Sequence, residues 1–398
     1  MLLGSGLILG RMPVPGLIKA ATSAYDDGTD NLYLPLVQNH EPYLRVGPTR
    51  TYKVPSAAAA VAKDGYIVEI DAGDYSGDTA TWKQNNLTLR GIGGKARLDA
   101  NGNNEGGKAI WVIQGNNTIV ENIEFSGATV PDKNGAGIRQ EGTNLTTRFC
   151  YFHNNEEGIL AGDNSYSKIL IEYSEFAYNG YGDGYTHNLY INHVASFTMQ
   201  FCYSHHAIVG HLVKSRALEN YILYNRIMDE VDGASSYSID LPNGGLSYVI
   251  GNLVQQGPNT QNNSIVTYAE EGAINPKQEL YLVNNTIVND HTSGGTFLRV
   301  SGMPVGLATN NLLIGNGTPI SGAVSADHNV QDLAGLIISR TGFDYHLVAG
   351  SPAIDAGMDP GSANGRTLTP TWEYVHPTNG ETRPIAGPID AGAYEYHA

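Results

Sequence analysis

The chain has 398 residues and a formal net charge of −16, from 39 acidic and 23 basic side chains. That balance argues against a nucleic-acid partner, because phosphate contacts need a dominant basic surface, and no run of about 18 apolar residues exists to insert a helix in a membrane. With 41% apolar residues, only 16% charged ones and 48 glycines, the composition describes a folded, turn-rich β protein.

Residues 1–24 contain an apolar stretch, Leu2 to Leu9, and a small-residue tract, Ala20 to Ala24, of the kind that precedes a cleavage site. The segment "LLGSGLILG" resembles the apolar part of a twin-arginine export signal, although a basic n-region is missing. The expectation is a periplasmic or secreted protein; the alternative is an N-terminal extension on a cytoplasmic one. From 25 to 398 a single domain is expected. "VPSAAAAVAKDGYIVEIDAGDY" (54–75) reads as a short amphipathic helix followed by a strand. It would form the core of an N-terminal cap over about 45–75, which covers the open end of a stack of coils.

The coils, over about 76–330, are legible as a repeat. The segments "ENIEF", "RFCYFHNN", "EYSEFAYN", "QFCYSHH", "YNRIMD", "GNLVQQ", "NNTIVND" and "NNLLIGN" align at Asn122, Phe149, Tyr173, Phe201, Asn225, Asn252, Asn285 and Asn311. Successive spacings are 27, 24, 28, 24, 27, 33 and 26 residues. Each unit holds short alternating apolar runs separated by Asn, Gly and Asp turns, with no helical period and no recurring Leu framework. Coils of three short strands, stacked about 4.8 Å apart around a continuous core, satisfy this pattern. Cys150 and Cys202 share a repeat position, with Ser174 in the coil between. They should therefore sit about 9.6 Å apart, too far for a disulfide, as buried thiols. The asparagines at 225, 252, 285 and 311 are expected as turn or internal ladder residues, and His205/His206 as a solvent-exposed turn rather than a metal site. Gly102 to Lys108 has the spacing of a phosphate loop, but Ala109 stands where Ser or Thr would hold magnesium.

A second set of strands follows the turns: "GIRQ", "GILA", "HNLYIN", "HLVKSR", "YSIDLP", "NSIVTY" and "TFLRVS". Ile138, Ile159, Leu189, Ile191, Val213, Ser215, Ile239, Leu241, Ile265, Thr267, Leu298 and Val300 should face the core. One outward row then reads Arg139, Leu160, Tyr190, Lys214, Asp240, Val266, Arg299, and a second reads Asn192, Arg216, Pro242, Tyr268. His187 and His211 begin equivalent strands 24 residues apart, with Tyr237 in the same place one coil on, and are expected at the rim of the same groove. Four cations along a flat parallel sheet, interleaved with tyrosines, make a track for a linear polyanion, and an acidic uronate chain is the natural ligand. The plainer reading is a solvated surface on which Lys214 pairs with Asp240.

"GYIVEIDAGDY" followed by "NNLTLRGIGG", the "NNTIVENIEF" coil, and the terminal "GSPAIDAG" and "DAGAYEY" resemble the right-handed parallel β-helix proteins of the pectin-lyase-like superfamily, over residues 45–397. The resemblance implies an all-β, single-stranded right-handed parallel β-helix with a short N-terminal capping helix and a C-terminal cap at about 331–398. It implies function less narrowly, since lyases, glycoside hydrolases, epimerases and tailspikes share the fold. β-Elimination of a uronate polymer needs a cation for the carboxylate, a base for the C5 proton and an acid for the leaving oxygen. β-Helix lyases employ Lys, Arg, Tyr and His for these tasks, so the resemblance implies Lys214 as base, Arg216 as carboxylate neutraliser, and Tyr190, His187 or His211 as acid. Tyr190 or His211 as base is the variant, with Asp240 tuning Lys214. Arg139, Asn192, Asn243, Tyr268 and Arg299 are the expected substrate-binding residues. Pectate-lyase-like calcium sites need several acids on adjacent strands. Here Asp240 stands nearly alone, with Glu270 and Glu271 further along, so calcium is the alternative and direct neutralisation by Arg216 the expectation. A hydrolase would need two carboxyl groups about 5 to 9 Å apart, such as Asp240 and Glu270. A noncatalytic carbohydrate-binding or structural protein is the alternative from another class.

Overall fold

The computed structural model describes residues 42–333 and 336–397; the export signal expected in residues 1–24 lies outside the described residues. From Tyr43 onward the chain winds as a right-handed solenoid of about ten turns, with three parallel ladders. One ladder is a separate sheet of ten strands, Ala80–Trp82 to Thr318–Ser321. The other two join in a 21-stranded sheet, because the strand Thr88–Asp99 bends round a corner: its first part pairs with Thr118–Glu121 and its last with Ile123–Ser126. Alternation places one set of side chains inside, where Phe125, Phe152 and Phe176 stack at 5.0 and 4.8 Å, one per coil. At the N-terminal end a five-residue helix, Pro55–Ala59, begins on a proline whose fixed φ suits the first helical position. Ala58, Ala59 and nearby Ala62 join the core.

A left-handed turn recurs at one corner, at Asn122, Phe149, Tyr173, Phe201, Tyr224, Gly251, Asn284 and Asn310, with φ between 48° and 68°. This corrects the repeat register by one residue in its second half: Phe201 is equivalent to Tyr224, not Asn225. The aromatic members stack from coil to coil, Phe149 on Tyr173 at 5.1 Å and Tyr173 on Phe201 at 5.2 Å. That contact offsets the cost of a bulky residue in this region. The next residue of each coil forms a buried ladder: Ser174 Oγ accepts the Cys150 N–H, and Asn225 Oδ1 accepts the Cys202 N–H. Asn252, Asn285, Asn311 and Asn329 continue it, each accepting from the backbone and side-chain amides of the asparagine before. Buried amides are tolerated because both their donors and their acceptor are used. Cys150 and Cys202 are free and buried, and burial pushes their thiols up to about 11 and about 12.

The C-terminal segment does more than close an end. Its three antiparallel hairpins, Ile337–Ser339 with Asp344–Leu347, Ser362–Ala363 with Arg366–Thr367, and Trp372–Val375 with Asn379–Thr382, lie along the side of the solenoid. Tyr345, Leu347, Ala353, Tyr374 and Tyr394 cover Tyr203, Met228, Leu253, Val288, Leu312 and Ile314. Near this junction His205 and His206 are only 7% exposed, which overturns the solvent-exposed turn. Their Nδ1 atoms lie 2.6 Å apart and their Nε2 atoms face Glu175 and Asp232. Tyr203 stacks on one ring and Tyr178 packs on both.

Candidate active site

The ten-stranded ladder carries Ala136–Gln140, Glu157–Ala161, Leu189–Ile191, Val213–Ser215, Ile239–Leu241, Ser264–Tyr268 and Thr296–Val300 side by side. Its outward row is Arg139, Leu160, Tyr190, Lys214, Asp240, Thr267, Arg299. Thr267 replaces the expected Val266, because Ile239 pairs with Val266 and the whole strand shifts by one. A one-residue slip exchanges faces. Val266 therefore enters the core, and so does Tyr268, which is fully buried with its hydroxyl donating to the Gly245 carbonyl at 2.8 Å. Tyr268 is removed from the substrate face.

At the centre of the row the structure gathers Tyr190, Lys214, Arg216, Asp240 and Asn243. Arg216 Nε donates to Tyr190 Oη at 3.0 Å, Nη1 to Asn243 Oδ1 at 2.7 Å, and Nη2 to Glu271 Oε2 at 2.5 Å. Lys214 Nζ donates to Glu271 Oε1 at 3.1 Å and lies 3.6 Å from Asp240 Oδ2. Both cations also sit within 6 Å of the Tyr190 ring centre. Burial raises Asp240 above the usual carboxylate range, opposed by Lys214 and by a 2.7 Å bond from the Thr267 hydroxyl. Glu271 is held below that range by Arg216 and Lys214 against its partial burial. Arg216 is raised by Glu271 and Tyr190 against the opposing effect of burial.

The histidines form a second column beside this cluster. Glu157 Oε2 accepts the His187 N–H, His187 Nδ1 accepts the His211 N–H, and His211 Nδ1 accepts the Tyr237 N–H. The imidazoles stack at 4.6 Å, and His187 meets Tyr190 edge-on. An Nδ1 that accepts carries no proton, so the rings are neutral with hydrogen on Nε2. Burial, with Lys214 and Arg216 adding to it, takes His187 well below its ordinary value and His211 down to about 3. His211 Nε2 points to Asp240 Oδ2 at 3.5 Å. These are supports behind the row rather than rim groups.

Three expected binding residues stand apart. Arg139 is separated from Tyr190 by Leu160, which makes an outward apolar patch with Ala109, Val112 and Ala136. Arg299 pairs with Glu270 at 2.9 Å. Asn192 Oδ1 accepts the adjacent His193 N–H. The cationic track is therefore one central pair flanked by isolated arginines. Glu271, Glu157 and Thr267 are the groups sequence reasoning missed as members of the site. In the sequence Glu271 reads only as a distant carboxylate, since it sits on a turn with no repeat register. These carboxylates do not make a calcium cradle: Asp240 is engaged by Thr267 and Lys214, Glu271 by two cations, and Glu270 by Arg299 and Ser301. Among the described residues no group of three or more His, Cys, Asp or Glu side chains is arranged to hold a metal, and no helix is long and apolar enough to cross a membrane.

No protein-family model and no curated protein matches the chain. Among solved structures, the pectate lyase Pel9A superposes with a TM-score of 0.62 at 15% identity, over 89% of this chain and 97% of its own. A pectin methylesterase in complex with a hexasaccharide matches over 77% of this chain and 92% of its own, with a TM-score of 0.35 and 12% identity, too loosely to bear on the site. At these identities the likeness establishes architecture: this chain has the pectate-lyase-like right-handed parallel β-helix fold.

Proposed function

We propose that the outer face around Lys214 and Arg216 binds an acidic, uronate-containing polysaccharide and cleaves it by β-elimination, acting in the periplasm or outside the cell. The observation that carries the reading is the Arg216 guanidinium. On the outward side of the ladder it already holds one carboxylate, with a phenol, an amide and a second cation around it. A guanidinium and an ammonium that take one oxygen each of a carboxylate, as they take Glu271, suit the C6 group of a uronate, and neutralising that group makes the C5 proton removable.

Tyr190 Oη is the proton acceptor in this reading. Arg216 Nε donates to it, a bond that strengthens as the oxygen gains negative charge. Lys214, paired with Asp240 and Glu271, gives its proton to the leaving oxygen. Tyr190 acts as the phenolate, its hydroxyl proton having left to solvent. The C5–H bond breaks with the proton passing to the phenolate oxygen, the C–H electron pair forms the C4=C5 double bond, and the C4–O bond breaks with the glycosidic oxygen taking the Lys214 proton. His187 and His211, held neutral, fix the positions of Tyr190 and Asp240. The test is incubation with alginate, pectate, glucuronan and glycosaminoglycan while following the ultraviolet absorbance of the unsaturated product. Absorbance should grow with at least one polymer; new reducing ends without it would assign a hydrolase, and binding without either a noncatalytic role. Tyr190→Phe should abolish turnover and retain binding, and an active Tyr190→Phe would return the base role to Lys214.

A further inference from the structure

The Lys214–Arg216 pair is occupied by the chain's own Glu271, and the way it is held is informative. Both carboxylate oxygens are used, one on each cation, at 3.1 and 2.5 Å. The cations are nearly covered, with side chains 11% and 15% exposed, but Glu271 is 47% exposed. Its main chain is fixed: the Glu271 N–H donates to Pro242 O at 2.9 Å, and the turn closes through left-handed Ala269 and Gly272. Buried Asn275 pins the following residues to Ala217 O and Gly244 O. The side chain can therefore swing into water while its loop stays. Asp240, the other anion on Lys214, cannot: its side chain is 3% exposed and bonded to Thr267.

We propose that Glu271 is an internal stand-in for the substrate carboxylate, holding the Lys214–Arg216 clamp between substrates and exchanging with an incoming uronate. The inference rests on the carboxylate-binding reading above. Exchange of one carboxylate for another leaves the charge on the cations unchanged and returns a half-exposed group to water, so it costs little desolvation. A neutral sugar offers no such replacement and leaves Glu271 in place. Glu271 thus keeps the guanidinium oriented and raises the concentration of acidic chain needed to fill the site.

The test is calorimetric titration of a uronate oligomer into the inactive Tyr190→Phe protein, with and without Glu271→Gln. Removing the internal competitor should lower Kd by about tenfold. Glu270→Gln, one residue away with the same change in net charge and paired with Arg299 and Ser301, should leave Kd within about twofold. An unchanged or raised Kd in Glu271→Gln, or equal tightening in both variants, would overturn the stand-in. A parent protein that binds no uronate oligomer at all would instead overturn the carboxylate-binding reading beneath it.

Discussion

On the strands from Tyr203–His205 to Leu312–Ile314 the outward side chains include Met228, Leu253, Val288, Leu312 and Ile314, and the C-terminal segment lies over them. On the ladder that carries the site the outward row is Arg139, Tyr190, Lys214, Asp240, Thr267 and Arg299, with Leu160 as its apolar member. Over its centre lies the turn from Ala269 to Asn275, whose Glu271 pairs with both Lys214 and Arg216. Both rows come from the same winding and the same alternation. Apolar outward residues gain about 25 cal/mol per Å² by being covered, so the chain returns over them. Charged residues would have to be desolvated and paired, which costs more than it gains unless the partners are in place, so over that row the chain brings a charge of complementary sign, the half-exposed Glu271, in place of an apolar cover.

Variants can break or sharpen that contrast. The largest effect is expected on the open face, where Arg216→Ala should cut turnover on a uronate polymer by about 10² to 10³-fold with the circular dichroism spectrum unchanged; a loss of fold instead would mean the guanidinium is structural. On the covered face, Leu312→Ala should destabilise by about 2 to 5 kcal/mol and make residues 336–397 the first site of proteolysis, with turnover at the open face retained. Between the faces, Asn252→Ala breaks the buried amide ladder and takes the acceptor from the Asn225 backbone N–H, while Asn285 Oδ1 keeps the backbone donor of residue 252. A loss of about 1 to 3 kcal/mol per unpaired group is expected in denaturant titration.

The fourth prediction concerns acid. His211 falls from an ordinary value near 6.5 to about 3 on folding, so the unfolded chain binds the extra proton first. Stability contributed by the neutral ring is full above about pH 6.5 and is lost as pH falls toward 3, by up to a few kcal/mol. Asp240 and Glu157, raised by burial, run the opposite way, so the difference between wild type and His211→Asn isolates the imidazole. Melting curves that stay parallel from pH 7 to about 4 would rule this out. The smallest effect is expected at Arg299→Ala. Its ion pair with Glu270 is half exposed and worth under about 1 kcal/mol, and its distance from the central pair predicts a change in turnover of no more than about threefold.

Much of this was legible beforehand. The spacing of the Asn and aromatic positions gave the coils, and alternation placed Tyr190, Lys214 and Asp240 in adjacent outward positions, as their pairing shows. Errors arose where a turn changed length. In the sequence Tyr268 reads as outward, because the turn before Ser264–Tyr268 shifts the strand by one and a period-two pattern carries no memory of a turn's length. The repeat alignment slipped by one between Phe201 and Asn225 for the same reason, since Asn suits both the left-handed corner and the ladder position after it. His187 and His211 looked like groove residues because sequence does not show that their Nδ1 atoms are taken by backbone amides.

By itself the sequence determined the winding: short alternating runs, turn residues at near-regular intervals and too little charge to stay unfolded admit little else. Only the tertiary structure decided that Glu271 closes on Lys214 and Arg216 from a turn 55 residues beyond the arginine, and that residues 336–397 return along the side. Neither contact has a period. Each depends on where a loop of irregular length delivers its side chains, and local propensity does not encode that.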